Sequence, residues 1–236
     1  MKKKVCMVTG VGEGNGRSIT KRFTKEGYHV AMLARSGERL NKYEQEFEGS
    51  KGFVCDVSDA DSIESSISAV HEELGPIDVF VHNAGSGMVA DFLSTTPEQM
   101  ESAWRTNTMG LFLFGQAASK DMLKSGQGGS IVVIGATSSL RGGANFTPFA
   151  SAKASQRSLA QSMARGLGPK GIHVSYVIVD GLIDIPRIRK MDWAKDKPDD
   201  AFLIPDEIAD VIWFLSEQPK STWTFELDLR PHRETW

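Results

Sequence analysis

The chain has 236 residues, enough for one large α/β domain with a sizeable core, and its 40% hydrophobic and 24% charged content is that of an ordinary folded protein. A net charge of −3 implies no broad basic face, so nucleic acid is not an expected partner. No window approaches the apolar length of a membrane span, and the run at 5–8 is too short for a signal peptide, so a cytoplasmic location is expected.

The run at 5–8 predicts a buried strand. It leads straight into Thr9-Gly10-Val11-Gly12-Glu13-Gly14-Asn15-Gly16, and a helix is predicted at 17–26. Glycines in such a turn let the backbone approach a pyrophosphate, which then sits on the free N–H groups of the helix start. The spacing is T-G-x-x-x-G-x-G through Gly10, Gly14 and Gly16. G-x-G-x-x-G does not fit, because its third glycine would fall at Asn15. A purely structural turn is the alternative, but the place between strand and helix favours a phosphate cradle.

A second strand is predicted at 29–33, ending in Leu33-Ala34-Arg35-Ser36. An acid at this point binds a ribose 2′-hydroxyl, whereas an arginine accommodates a 2′-phosphate, so Arg35 favours NADP over NAD. A helix at 38–47, a strand at 52–55, a helix at 63–74 and a strand at 77–81 follow. Cys6 and Cys55 lie in apolar runs and are expected as buried thiols rather than a disulfide or metal ligands; no metal site is expected. His82 is expected to be a packed core histidine. Thr96, Pro97 and Gln99 form a helix-start signature, predicting one helix at 97–124. A strand at 130–134, a helix at 150–167 and a strand at 173–179 come next, with Gly27, Gly49, Gly75, Gly126 and Gly168 as helix stops. The charge-rich stretch at 182–200, with Arg187, Arg189 and Lys190, is irregular, and a lid or disordered insertion is expected near 182–204. A helix near Pro205 and a strand at 224–229 complete the chain. This alternation predicts one domain over 1–236: a doubly wound, mostly parallel sheet of Rossmann type with helices on both faces.

Four further features follow the glycine turn in order: Asp56-Val57 after the third strand, Asn83-Ala84-Gly85 after the fourth, Asn107 ahead of Gly110, and Lys153 in the fifth helix. Together they resemble the short-chain dehydrogenase/reductase family along almost the whole chain. The resemblance implies an NAD(P)-dependent oxidoreductase acting on a small molecule that the residues do not specify. It places Gly10, Gly12, Gly14, Asn15, Gly16, Arg35, Asp56, Val57, Asn83, Ala84, Gly85, Gly181 and Ile183 on the cofactor. Lys153 would hold the nicotinamide ribose, Asn107 would belong to the active site, and a homodimer or homotetramer would form through the fourth and fifth helices. Glu13, at a loop position often basic in NADP-preferring members, counts against the NADP assignment.

The family motif is Y-x-x-x-K with a serine upstream, and here this chain departs from it. The tyrosine position is Phe149 and the serine position is Ala136. Carbonyl reduction needs a proton donor beside the substrate oxygen, and a phenyl ring supplies none. Asp180, which replaces the proline of the family's Pro-Gly pair before Gly181, and Asp184 are candidate substitute acids, with helix capping as the alternative for Asp180. Thr137 and Ser138 adjoin the serine position, while Tyr28, Tyr43 and Tyr176 are expected to be structural. Two functions stay open. One is an oxidoreductase whose acceptor, such as an activated C=C bond, needs little acid assistance; the dienoyl-CoA reductase branch of the family is similar in keeping the lysine without the tyrosine. The other is a cofactor-binding protein without turnover, acting as a sensor or partner subunit.

Overall fold

A computed structural model describes residues 3–235. Apolar, β-branched runs form the strands β1 Val5–Thr9, β2 His29–Ala34, β3 Ser50–Val54, β4 Val79–His82, β5 Gly129–Ala136, β6 Ile172–Val179 and β9 Glu226–Leu229. These make one parallel sheet in the order β3-β2-β1-β4-β5-β6-β9. The helices α1 Asn15–Lys25, α2 Gly37–Glu46 and α8 Pro205–Ser216 cover one face, and α3 Ala60–Glu73, α5 Gly110–Ser125 and α6 Thr147–Leu167 cover the other. Strand residues alternate between the two faces. Cys6, Val8, Val30, Met32 and Val81 pack toward α1 and α8, whereas Met7, Ala31, Leu33, Phe80 and Val133 pack toward α3, α5 and α6. Every residue of β6 is buried, as a strand covered on both sides requires. Strand order reverses between β1 and β4, which opens a crevice at their C-terminal ends.

Three expectations change. The single helix predicted at 97–124 is α4 Pro97–Trp104 and α5, joined by a π-helical turn at Arg105–Met109. That extra-wide turn is invisible to a 3.6-residue periodicity. Just beyond it, Gly110 presses on the chain after β3: a Cβ there would stand 2.8 Å from the Val57 carbonyl oxygen. Gly27, Gly49, Gly75 and Gly126 do adopt positive φ, but Gly168 does not; it continues a short 3₁₀ turn, Gly168–Lys170, and Gly171 makes the reversal. The segment expected to be irregular is folded on itself. β7 Leu182–Ile183 pairs with β8 Phe202–Leu203, and α7 Pro186–Arg189 lies between them. Arg189 clasps this unit. Its guanidinium donates to the Asp184 carboxylate at 2.7 and 3.0 Å and to Asp199 at 2.8 Å, and it lies 3.8 Å from the Phe202 ring centre.

Both cysteines are buried free thiols. Among the described residues no helix is long and apolar enough to cross a membrane. His82 is fully buried, with Nδ1 3.2 Å from the Thr9 hydroxyl. Burial, reinforced by the Lys153 charge, pulls its pKa down to about 3. The native ring therefore stays neutral while an unfolded chain takes up a proton below about pH 6.5. Its contribution to stability is complete above that pH and is lost as pH falls toward 3, by about 1.4 kcal/mol per pH unit. Denaturant midpoints measured across this window should fall less steeply in His82→Gln than in the unmodified chain; parallel slopes would refute the assignment.

Candidate active site

A cleft of about 1390 Å³ lies along the C-terminal ends of the central strands. Its first part is the glycine turn. Gly10 has φ +71°, and a Cβ there would stand 2.6 Å from the Ala84 backbone. A Cβ at Gly16 would stand 2.6 Å from Val11 Cα. Gly12 has open space around it, which agrees with T-G-x-x-x-G-x-G as the operative spacing. α1 is preceded by Gly14 at its cap position, with no side-chain cap and no acid in its first turn, so its N–H groups and positive dipole end are available to an anion. Asn15 Oδ1 is buried without a hydrogen-bond partner among the described residues. The Asn83-Ala84-Gly85 turn is fastened to this loop, for Asn83 Nδ2 donates to the Gly10 carbonyl at 2.8 Å and Ala84 N–H donates to the Thr9 hydroxyl at 3.3 Å.

At one end the cleft is lined by Arg35, Ser36, Arg39, Asp56, Val57 and Ser58. Ser36 caps α2 by accepting from Arg39 N–H, so both guanidinium groups spring from one rigid helix start. Two hydrogen bonds from Ser58, hydroxyl and N–H, hold the Asp56 carboxyl below the usual carboxylate range. Glu13 also lines the cleft.

The other end is formed by Gly85, Ser86, Met88, Ala136, Thr137, Ser138, Phe149, Lys153, Gly181, Ile183 and Arg187. Phe149 and Lys153 are one turn apart on α6 and face the same way. Lys153 is buried except at the cleft, and its Nζ donates to the Ile134 carbonyl at 2.9 Å and to Gln156 Oε1 at 3.0 Å. Burial lowers its pKa to about 7. Asn107, in the π turn, sits one layer behind the cleft wall. Its Nδ2 donates to the Ala103 carbonyl at 2.9 Å, and Oδ1 is buried without a partner among the described residues. At the two positions where a catalytic hydroxyl was sought, the cleft presents the Phe149 ring and the Ala136 methyl.

The candidate substitute acids do not face this cleft. Val179 and Gly181 line it, whereas Asp180 between them, just past the end of β6, is absent from its lining. Asp180 instead lines a separate cavity of about 310 Å³, accepts from the Thr137 hydroxyl and lies 3.5 Å from Arg230. Asp184 is outside the cleft lining, and its bond to Arg189 lowers its pKa, so it is ionised and carries no proton to donate. Thr137 lines the cleft but spends its hydroxyl proton on Asp180. The tyrosines are structural. Tyr28 donates to Glu217, Tyr43 is buried in the core under α2, and Tyr176 is buried with its hydroxyl 3.4 Å from Gln156 Oε1. Arg39 on the cleft wall, and Gln156 buried behind it against Lys153, are residues that the sequence analysis did not single out. A polar residue on the buried face marked by Lys153 and Ala160 was the available signal for Gln156.

The sequence matches the pattern of the short chain dehydrogenase family over residues 4–192. A 3-oxoacyl-[acyl-carrier-protein] reductase of Mus musculus is 30% identical over 223 residues, covering 93% of each chain. Among solved structures, a short-chain dehydrogenase from Rhodopseudomonas palustris superimposes with a TM-score of 0.82 at 34% identity, covering 97% of this chain and 99% of that one. An actinorhodin polyketide ketoreductase variant crystallised with NADPH superimposes with a TM-score of 0.86 at 26% identity, over 97% and 96% of the two chains.

Proposed function

Since the chain belongs to the short-chain dehydrogenase family, we propose that it binds NADP(H) in this cleft and passes hydride to a small-molecule acceptor that needs no tyrosine acid. The observation that carries this reading is the joining, in one cleft, of an uncapped glycine-lined helix start, an arginine pair and a buried lysine. The N–H groups opening α1 would hold the pyrophosphate, Arg35 and Arg39 a 2′-phosphate, and Lys153 the nicotinamide ribose. Bound there, the reduced nicotinamide supplies the hydride. With Phe149 and Ala136 in place of hydroxyls, the acceptor best suited is an activated C=C bond, whose developing carbanion takes its proton from water in the open cleft. The same two positions favour a second reading, a cofactor-binding protein without turnover that acts as a sensor or partner subunit.

Titration with NADPH, followed by mixing with a panel of enones, ketones and aldehydes, tests both. Binding together with NADPH oxidation on an enone is the expected result. Lys153→Ala should weaken dinucleotide binding. Binding without oxidation on any acceptor would favour the second reading, and no binding would overturn both. The same reading takes the segment from β7 to β8 as a lid, supported by Ile185, whose Cγ2 lies 2.8 Å from where Gly14 would carry a Cβ. It also takes the protein as a homodimer or homotetramer through α4–α5 and α6, supported by the exposed Met100, Trp104 and Phe112 on the first two.

A further inference from the structure

Gln156 is fully buried on α6, one turn after Lys153, and the proposed reaction gives it no task. Its side chain is fastened on three sides. Oε1 accepts from the Lys153 ammonium at 3.0 Å and from the Tyr176 hydroxyl at 3.4 Å, and Nε2 donates to the Asn107 carbonyl at 2.8 Å. Chemistry fixes the amide's orientation. An ammonium only donates and a backbone carbonyl only accepts, so the oxygen must face Lys153 and the nitrogen Asn107. Gly135 makes room for this cluster, since a Cβ there would stand 2.6 Å from the Tyr176 hydroxyl oxygen. Methionine would fill much the same space without burying an amide, which is costly unless fully hydrogen-bonded. Packing alone therefore does not account for glutamine here.

Resting on the reading that the cleft binds a nicotinamide dinucleotide, we propose that Gln156 is a positioning residue for that site: its amide braces the Lys153 ammonium against the π turn carrying Asn107. Of the ammonium's three N–H groups, one goes to the Ile134 carbonyl and one to Gln156, which leaves the third for the cleft. The amide oxygen also favours the charged form of the lysine, opposing the effect of burial. The titratable groups near Lys153 on neighbouring strands are His82 on β4 and Tyr176 on β6. Burial takes the first down to about 3 and the second up to about 12, so neither changes charge near neutral pH.

The test is the pH dependence of dinucleotide affinity in the unmodified chain, Gln156→Met and Gln156→Glu. NADPH and NADH are both used, because only NADPH carries a 2′-phosphate that titrates. In the unmodified chain affinity should weaken as pH rises above about 7, where Lys153 loses its proton. Gln156→Met should move this limb to lower pH and Gln156→Glu to higher pH, each unit of displacement changing affinity about tenfold at a fixed alkaline pH. Lysine ¹³Cε NMR on the dinucleotide-free proteins should give the same order of Lys153 titrations. A Lys153 titration that coincides in all three proteins would overturn the role of Gln156. No dinucleotide affinity in the unmodified chain, with Lys153 titrations still displaced between variants, would overturn the cleft reading and leave the lysine–glutamine coupling standing.

Discussion

With saturating NADPH, Ala136→Ser/Phe149→Tyr is expected to reduce a small ketone at least ~10²-fold faster than the unmodified chain, the lower end of what general acid catalysis supplies. Both positions already line the cleft, so the two added oxygens enter a water-accessible space and not a packed core. Lys153 lies one turn from position 149 on the same face of α6, and its ammonium would lower the pKa of the new phenol. The gain should fall on kcat rather than KM, because the added groups act on charge that develops only in the transition state. Each single variant should gain less than its share, since groups that act as a unit are not additive. Steady-state NADPH oxidation with cyclohexanone or a small keto ester measures the effect. A double variant that binds NADPH yet stays at the background rate would defeat the expectation. So would vigorous ketone reduction by the unmodified chain.

The second large effect concerns the cofactor. Arg35→Ala should weaken NADPH binding by roughly 10- to 100-fold, the value of one charge-assisted pair of hydrogen bonds, and leave NADH binding nearly unchanged. The two residues after β2 are Arg35 and Ser36, with no carboxylate to claim a ribose 2′-hydroxyl, and Arg39 in the first turn of α2 lines the same cleft. Arg39→Ala should act in the same direction, and the double variant should bind the two cofactors about equally. Fluorescence titration with each cofactor gives the ratio directly. Tighter NADH binding by the unmodified chain, or a ratio untouched by Arg35→Ala, would refute the NADP assignment. Glu13, also on the cleft wall, offers the opposite lever: Glu13→Gln should favour NADPH further by removing a negative charge.

Sheet type was legible because buried parallel strands are continuous apolar runs, and the glycine turn showed itself by spacing. Strand ends were not. The run at 77–81 includes Ile77, which is buried but precedes β4, while His82 pairs within the strand as a polar residue at its end. Register across the sheet, not local composition, decides such limits. The π turn escaped for a similar reason, since Asn107 and Gly110 look like ordinary helix positions until the chain around Val57 is in place. Asp180 was not legible from its neighbours in sequence, because the groups that hold it, the Thr137 hydroxyl and Arg230, come from distant parts of the chain. Asp184 was not resolvable from sequence, because its partner Arg189 comes from a helix in a stretch with no periodic signal. That residues 136 and 149 carry no hydroxyl, by contrast, was plain from the letters.

The Arg189 clasp separates what this region must keep from what it can vary. The guanidinium joins Asp184 before it to Asp199 and Phe202 after it, so β7 and β8 are tied together across the intervening stretch at 190–198, in which Ala194 alone is fully buried. Closing a loop costs little more when the loop is longer, about 0.6 kcal/mol for each doubling of length. Descendants of this sequence could therefore insert, delete or replace residues there and reshape whatever the region contacts while the frame holds. For an engineer, the exposed positions of 190–198 are the natural place to diversify a library, and Asp184, Arg189, Ala194 and Asp199 are the letters to leave alone.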